Sequence, residues 1–384
     1  MTDKVHITQL KLDKFRNYVS LKQDFSFRHV VLTGENGSGK TNLMEAVSLL
    51  TPGRGIRRSA YIDFPYRSTQ DHDDTSENGS AFSVFAKIEG MCGEVDIGTG
   101  LSLDEPGSRR IRINGTNTKT NDELLDHARI LWLTPAVDGL FTGGAGDRRR
   151  FLDRLVLAID PSHGKRSLSY ERAMRSRNKL LSEGRIDPVW LDGIEQQMAE
   201  LGIAIAAARH EFINMLSGLV NVNSEDESFP KAILSLEGFD MGAGDEPAVD
   251  KEQNFIEYLR DTRHRDAAAG RSLTGPHKAD LIVFHDKKNM PAGSCSTGEQ
   301  KALLIGLILA HARLVKNLTG YAPILLLDEI AAHLDEKRRA ALFDLIDNLN
   351  CQAFMTGTDR DMFKALGERA QYFNVSDGQV SEVG

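Results

Sequence analysis

The residues Gly34-Glu35-Asn36-Gly37-Ser38-Gly39-Lys40-Thr41 fit the pattern G-x-x-x-x-G-K-[ST] at every position. Glycines at this spacing let the backbone curl until successive N–H groups point at one anion, and a helix opening near Lys40 adds its positive end. Lys40 supplies a cation to β- and γ-phosphate oxygens, and the Thr41 hydroxyl suits Mg²⁺. The chemistry expected is binding of ATP with Mg²⁺. Near the other end, Ile324-Leu325-Leu326-Leu327 reads as an apolar strand delivering Asp328 and Glu329 to its tip. Asp328 would hold Mg²⁺, directly or through water, and Glu329 is placed to polarise the water that attacks the γ-phosphate. A buried strand ending in acids is common by itself, and it is the pairing with the phosphate loop that gives this one its meaning.

The elements that must position these groups follow from the pattern around them. His29 to Thr33, HVVLT, reads as a buried strand and Asn42 to Leu50 as a short helix, which is the strand, loop and helix context a phosphate loop needs. The opening VHITQLKLDKFRNY alternates like an edge or half-buried strand. From Ser80 to Asn114, strand-like runs broken by glycines suggest an antiparallel layer. From Asn121 to Asp266 the texture turns helical, and Ile194, Met198, Leu201, Ile205, Ala208, Phe212 and Leu219 mark an amphipathic helix of roughly 25 residues, too short for a coiled-coil arm. After Leu273 strands and helices alternate again. The expected architecture is an α/β head with a mixed β core and flanking helices, residues 1–120 and 271–384, carrying an inserted, mostly helical lobe at 121–270.

Composition narrows the class. No uninterrupted apolar run reaches the roughly 18 to 20 residues that cross a bilayer, and the start lacks a signal peptide's apolar core, so a cytoplasmic protein without a membrane partner is expected. Cys92, Cys295 and Cys351 show neither metal-ligand nor disulfide spacing. A net charge of −8 argues against coating nucleic acid by overall attraction, so any DNA contact must be a local patch. Candidates are Arg54, Arg57 and Arg58 in a Gly-rich loop, and Arg148 and Arg149 with Arg150 at the start of a helical stretch. Either cluster also suits a solvated face.

Ser296-Thr297-Gly298-Glu299-Gln300, standing before the apolar helix KALLIGLILA and ahead of the acidic strand, is in isolation a plain N-cap with a capping-box glutamate. In this order it resembles the signature of ABC-type ATPase heads. That resemblance implies that Ser296 and Gly298 close on the ATP held by Lys40 of a second head, making Ser296, Lys40 and Glu329 the catalytic set of an ATP-dependent homodimer. His333-Leu334-Asp335 resembles the loop lining that interface. Thr358 stands where transporters carry a switch histidine and is the candidate γ-phosphate sensor.

Phe15-Arg16-Asn17-Tyr18 resembles the opening of the RecF family of DNA-repair ATPases, as do Gly53 to Arg58, Asp147 to Asp153, Ser176 to Leu181 and Gly275-Pro276-His277. The resemblance spans nearly the whole chain. It implies that Arg16 and Asn17 contact the nucleotide and that the dimer clamps duplex or gapped DNA, released by slow hydrolysis. It also implies work beside RecR and RecO in loading recombinase. The signature and the acidic pair depart from the family's usual Gln-Gly-Gln-Gln-Arg and Asp-Asp, and Ala279 stands where it carries an acid. Other readings are a head of the SMC and Rad50 class, and a nucleotide-stabilised DNA-binding dimer with negligible hydrolysis.

Overall fold

The computed structural model of the chain describes residues 4–66, 81–91, 93–101, 108–183, 187–222, 228–239, 241–242, 244 and 246–383. It divides into two compact units, one of Met1–Asp138, Glu227–Phe229 and Leu307–Gly384, the other of Gly139–Asp226 and Pro230–Gly306. The expected division counted 271–306 with the head and 121–138 with the inserted lobe. Compactness groups them the other way, because the strand at 130–133 pairs within the first unit and the strand at 280–285 within the second.

In chain order the strands begin with β1 (His6–Phe15), β2 (Tyr18–Asp24), β3 (His29–Thr33), β4 (Phe82–Gly90), β5 (Gly93–Leu101), β6 (Arg109–Ile113), β7 (Thr116–Asn117) and β8 (Ile130–Leu133). They continue with β9 (Ala232–Glu237), β10 (Asp280–His285), β11 (Met290–Pro291), β12 (Ile324–Leu327), β13 (Ala353–Gly357), β14 (Ala370–Ser376) and β15 (Gln379–Glu382). The helices are α1 (Lys40–Ser48), α2 (Ala145–Leu157), α3 (Ser162–Ser182), α4 (Pro188–Val222), α5 (Ala248–Asp261), α6 (Arg263–Ala269), α7 (Thr297–Thr319) and α8 (Glu336–Leu349).

The first unit holds two sheets. One, in the order β2-β1-β4-β5-β6-β7, is antiparallel throughout. β1 keeps its alternation, with Leu10 and Leu12 buried and Lys11 and Asp13 exposed, but it lies between β2 and β4 and is not an edge. The other sheet, β15-β14-β3-β13-β12-β8, is parallel except for β15. Its central strands, ILLL in β12 and AFMTG in β13, are buried at every position as a parallel sheet covered on both faces requires, and apart from Thr356 they are free of polar side chains. Val30, Leu32, Leu326 and Phe354 of this sheet share one core with Leu10, Leu12, Val84 and Ile88 of the other. β8, ILWL, is fully buried and extends the parallel sheet from a stretch expected to be helical.

The second unit is mostly helical, with α3 and α4 packed along one another and a small antiparallel sheet, β11-β10-β9. α4 has 35 residues, roughly 50 Å, and so exceeds the expected length. Proline suits a first helical position, and in the turn that follows Pro188 the apolar Val189 and Trp190 are exposed, so the start departs from the amphipathic pattern. α7 contains a window apolar enough by length and composition to cross a membrane, although His311, Arg313 and Lys316 interrupt its apolar run. That window is 67% buried inside the protein, the mark of a core helix.

Candidate functional site

The phosphate loop leaves β3 and ends where α1 begins at Lys40, as the sequence requires. Gly39 sits at φ 114, and a side chain there would collide with Asn17 and crowd the Tyr18 hydroxyl. Glycine is therefore demanded both by conformation and by space. Asn17, in the turn between β1 and β2, and Tyr18, the first residue of β2, brace this curve: Asn17 Nδ2 donates to Ser38 O at 3.1 Å and Tyr18 Oη to Gly39 O at 3.0 Å. Arg16 turns elsewhere, its guanidinium held by the buried Glu45 carboxylate at 2.8 and 3.0 Å and stacked over Phe64. Glu35, Asn36 and Gly37 are exposed.

Lys40 is buried, and its ammonium donates to Gly34 O at 2.7 Å and Glu35 O at 2.8 Å, arched across the loop. Burial pulls its pKa below the usual lysine range, and the Glu329 and Asp328 charges oppose that shift. The Ser38 hydroxyl oxygen is buried without a protein partner, although polar groups inside proteins are nearly always paired. The loop thus presents backbone donors, a cation and an unmatched hydroxyl at one place. Gly34 to Ser38 line a cleft of about 820 Å³ whose far wall includes Thr358, Asp359 and Arg360.

Asp328 and Glu329 stand just past the end of β12. Thr41 Oγ1 lies 3.1 and 3.2 Å from the two Asp328 carboxylate oxygens, joining motifs 287 positions apart. A hydroxyl beside one carboxylate is a hard-oxygen pair of the kind Mg²⁺ accepts when nucleotide phosphates and water complete its shell. Among the described residues no cluster of three His, Cys, Asp or Glu side chains is placed to hold a metal. Glu329 has φ 52 and ψ 23, and its amide donates to Thr356 Oγ1 at 2.9 Å. Thr358 is exposed at the cleft. Thr356, two residues earlier in the same segment, is not marked by the sequence, because a threonine at the end of a strand carries no signal of its own.

In the second unit, Ser296, Thr297 and Gly298 open α7 and are exposed. The capping box is half formed: Ser296 N–H donates to the Glu299 carboxylate at 3.1 Å, and Lys288 pairs with that carboxylate at 2.6 Å. Lys288 first, and then the Ser296 N–H, hold the Glu299 pKa down to about 2, so the brace stays ionised throughout the neutral range. Gln300 ties the turn to Cys295 O at 2.8 Å. The first-turn amides that follow Ser296 have no carbonyl four residues back, which leaves a donor set facing solvent. Asp335 caps α8 by accepting from Arg338 N at 2.8 Å.

The basic clusters fall in different units. Arg54, Arg57 and Arg58 lie exposed on the turn after α1. That turn is fastened by the half-buried Arg109, which donates to Thr51 O at 3.2 Å and Gly53 O at 3.0 Å. Arg57 also reaches Asn42 and Glu45. Arg148 makes a two-bond fork on Asp280 at 2.7 and 2.8 Å, and Arg149 donates to Ala279 O at 2.8 Å. The structure therefore spends much of Arg148 and Arg149 on fixing β10.

Of the segments quoted for the family resemblance, Asp147 to Asp153, Ser176 to Leu181 and Gly275-Pro276-His277 meet inside the second unit. Asp153 accepts from Arg209 at 2.8 and 2.9 Å, and Arg209 reaches on to Pro276 O at 2.6 Å. His277 Nε2 lies 3.0 Å from Ser272 O, so Nε2 carries the proton and Nδ1 accepts from the Tyr170 hydroxyl at 3.2 Å. Gly275, at φ 144, lies so close to that hydroxyl that any side chain would strike it. Arg177 is wholly buried and bonded to Glu195, Asp266, Ser272 and Leu259 O. Cys295 and Cys351 are buried free thiols, and Cys92 lies outside the described residues.

Known proteins agree with this layout. The RecF/RecN/SMC N terminal domain family matches residues 6–381. A DNA replication and repair protein RecF from Rhizobium leguminosarum bv. trifolii (strain WSM2304) is 62% identical over 385 residues, spanning all of both chains. One from Agrobacterium fabrum (strain C58 / ATCC 33970) is 60% identical over 382 residues, 99% of this chain and 100% of the relative. Among solved structures, the recombination mediator protein RecF-ATPrS in the RecFOR pathway has a TM-score of 0.84 at 23% identity, covering 99% of this chain and 98% of that one. An Smc head domain with an extended coiled coil, from Pyrococcus furiosus, reaches 0.54 at 18%, covering 99% and 96%. Those two likenesses show the ABC-type head fold. A family match across almost the full length and identity above 60% to relatives of equal span leave one conclusion: the chain belongs to the RecF family of DNA replication and repair proteins.

Proposed function

We propose that this chain is an ATP-gated DNA clamp of recombinational gap repair. ATP pairs two copies head to head, the pair grips duplex DNA near single-strand gaps, and slow hydrolysis releases it in support of recombinase loading. The observation that carries the reading is the Thr41 to Asp328 contact, which unites the phosphate loop with the hydrolytic acids. The solved RecF-ATP structure, of the same fold, supports ATP as the nucleotide. The RecFOR pathway named for it supports RecO and RecR as partners.

Lys40 leaves its two loop carbonyls for the β- and γ-phosphates, where its charge is worth more than in a neutral hydrogen bond. Loop amides and the Ser38 hydroxyl take the remaining oxygens, with Asn17 and Tyr18 holding the curve behind them. Mg²⁺, gripped by Thr41 and Asp328, would neutralise charge on the phosphates. Glu329 orients the attacking water, and Thr358 borders the γ-phosphate side of the cleft. Ser296 and the amides after it, exposed and pre-set by Glu299, cap the triphosphate of the partner copy. Those contacts exist only while the γ-phosphate does, so pairing and occupancy are thermodynamically linked.

Arg54, Arg57 and Arg58 meet DNA phosphates without reading sequence, and Arg148 and Arg149 add positive field while bracing β10. Retention on a gapped duplex is expected to require ATP and to weaken steeply with salt. Arg54→Ala with Arg58→Ala should lower the slope of log affinity against log salt by about 0.9 for each DNA phosphate that the two arginines no longer neutralise. A filter-binding series from roughly 50 to 200 mM salt, a range wide enough to resolve such slopes, checks this. Retention indifferent to ATP, or an unchanged slope, contradicts the clamp reading.

A further inference from the structure

Thr356 is fully buried on β13, away from the cleft that Thr358 borders. Its Oγ1 lies 2.9 Å from the Glu329 amide nitrogen and 2.7 Å from Asp328 Oδ1. A backbone N–H can only donate, so the hydroxyl accepts from Glu329, and its single proton goes to the Asp328 carboxylate. One side chain thereby fixes both acids.

The reason for that arrangement lies in the sheet. The β12 to β13 ladder pairs Leu327 with Met355 and stops there. Glu329 then turns into the left-handed region, where a non-glycine residue persists only if its surroundings hold it. With the ladder ended, the Glu329 amide finds the Thr356 hydroxyl in place of a strand carbonyl. Asp328 is held twice over, by Thr41 on the nucleotide side and by Thr356 on the sheet side.

We propose that Thr356 is a positioning residue for hydrolysis. Its hydroxyl sets the direction in which the Glu329 carboxylate leaves the backbone and fixes the Asp328 oxygens against Thr41. The inference rests on the reading of Asp328 and Glu329 as the metal-holding and water-orienting acids. It differs from a γ-phosphate sensor in touching no nucleotide atom.

The test uses the full chain as wild type, Thr356→Val, Thr356→Ser and Glu329→Gln. Two quantities are read: single-turnover hydrolysis of ATP with Mg²⁺, and affinity for a fluorescent ATP analogue with Mg²⁺ and with EDTA. Thr356→Val should slow hydrolysis about 10- to 100-fold, the usual loss when a partner behind a metal ligand is removed. It should weaken the Mg²⁺-dependent part of the affinity and leave metal-free affinity unchanged, while Thr356→Ser, which restores the hydroxyl, should return both close to wild type. Wild-type hydrolysis by Thr356→Val, or a serine variant as slow as valine, overturns the inference. A slow Glu329→Gln beside a fast Thr356→Val sinks positioning alone, whereas a fast Glu329→Gln removes the reading on which it rests. Thr356→Ala serves if valine disturbs β13, and loss of metal-free nucleotide binding by both variants would make Thr356 a folding requirement instead.

Discussion

Glu329→Gln is expected to slow ATP hydrolysis by about 10²- to 10⁴-fold, the contribution typical of a positioned general base, and to leave ATP affinity near its wild-type value. The substitution keeps size and backbone, so the Thr356 to Glu329 amide bond and the left-handed turn survive. It removes only the negative charge that polarises water. Because ATP still binds, the paired state should accumulate, and DNA release should slow along with hydrolysis. Phosphate release measured with and without gapped duplex checks both halves. Equal rates for variant and wild type would move the protein to the other reading, a nucleotide-stabilised dimer that barely hydrolyses.

Arg177→Ala is expected to cost the second unit about 3 to 5 kcal/mol, because removing one partner of a buried ion cluster leaves uncompensated charge. Arg177 has no exposed surface, and its guanidinium serves Glu195, Asp266 and the Leu259 carbonyl together. Glu195 is also bonded by Arg263, but Asp266 has Arg177 as its ion-pair partner among the described residues. Arg177→Lys should recover only part of the loss, since a point charge cannot reproduce a planar fork with three directions of donation. Urea unfolding followed by hydrogen exchange of α3, α4 and α6 reads the loss within this unit. A midpoint unchanged from wild type would show that the cluster adds no net stability.

The sequence makes some of this visible and hides the rest for definable reasons. The phosphate loop, β3, α1, β12 and β13 are legible because each is a contiguous pattern, and buried parallel strands have unbroken apolar runs. Four apolar residues at β8, in a helix-rich stretch, are too short to identify as a strand until their partner β12 is known. β10 looks like a head strand because it follows the helical lobe, yet besides the adjacent β11 it pairs with β9, and pairing across dozens of residues leaves no local trace. Arg177 is an arginine wholly committed inside, a placement that composition argues against. Thr356 is the same lesson at the site: the motif names Asp328 and Glu329, while the group that aims them lies on the next strand.

Sedimentation velocity of the wild type and of Ser296→Arg, at micromolar protein with and without saturating ATP and Mg²⁺, tests the central claim most directly. The wild type should pass from monomer to dimer when ATP is added. Ser296→Arg should bind ATP equally well and remain a monomer, since the exposed loop that caps the partner's triphosphate would then carry a bulky side chain. A wild type that stays monomeric with every site filled, or an arginine variant that pairs as the wild type does, would contradict the account.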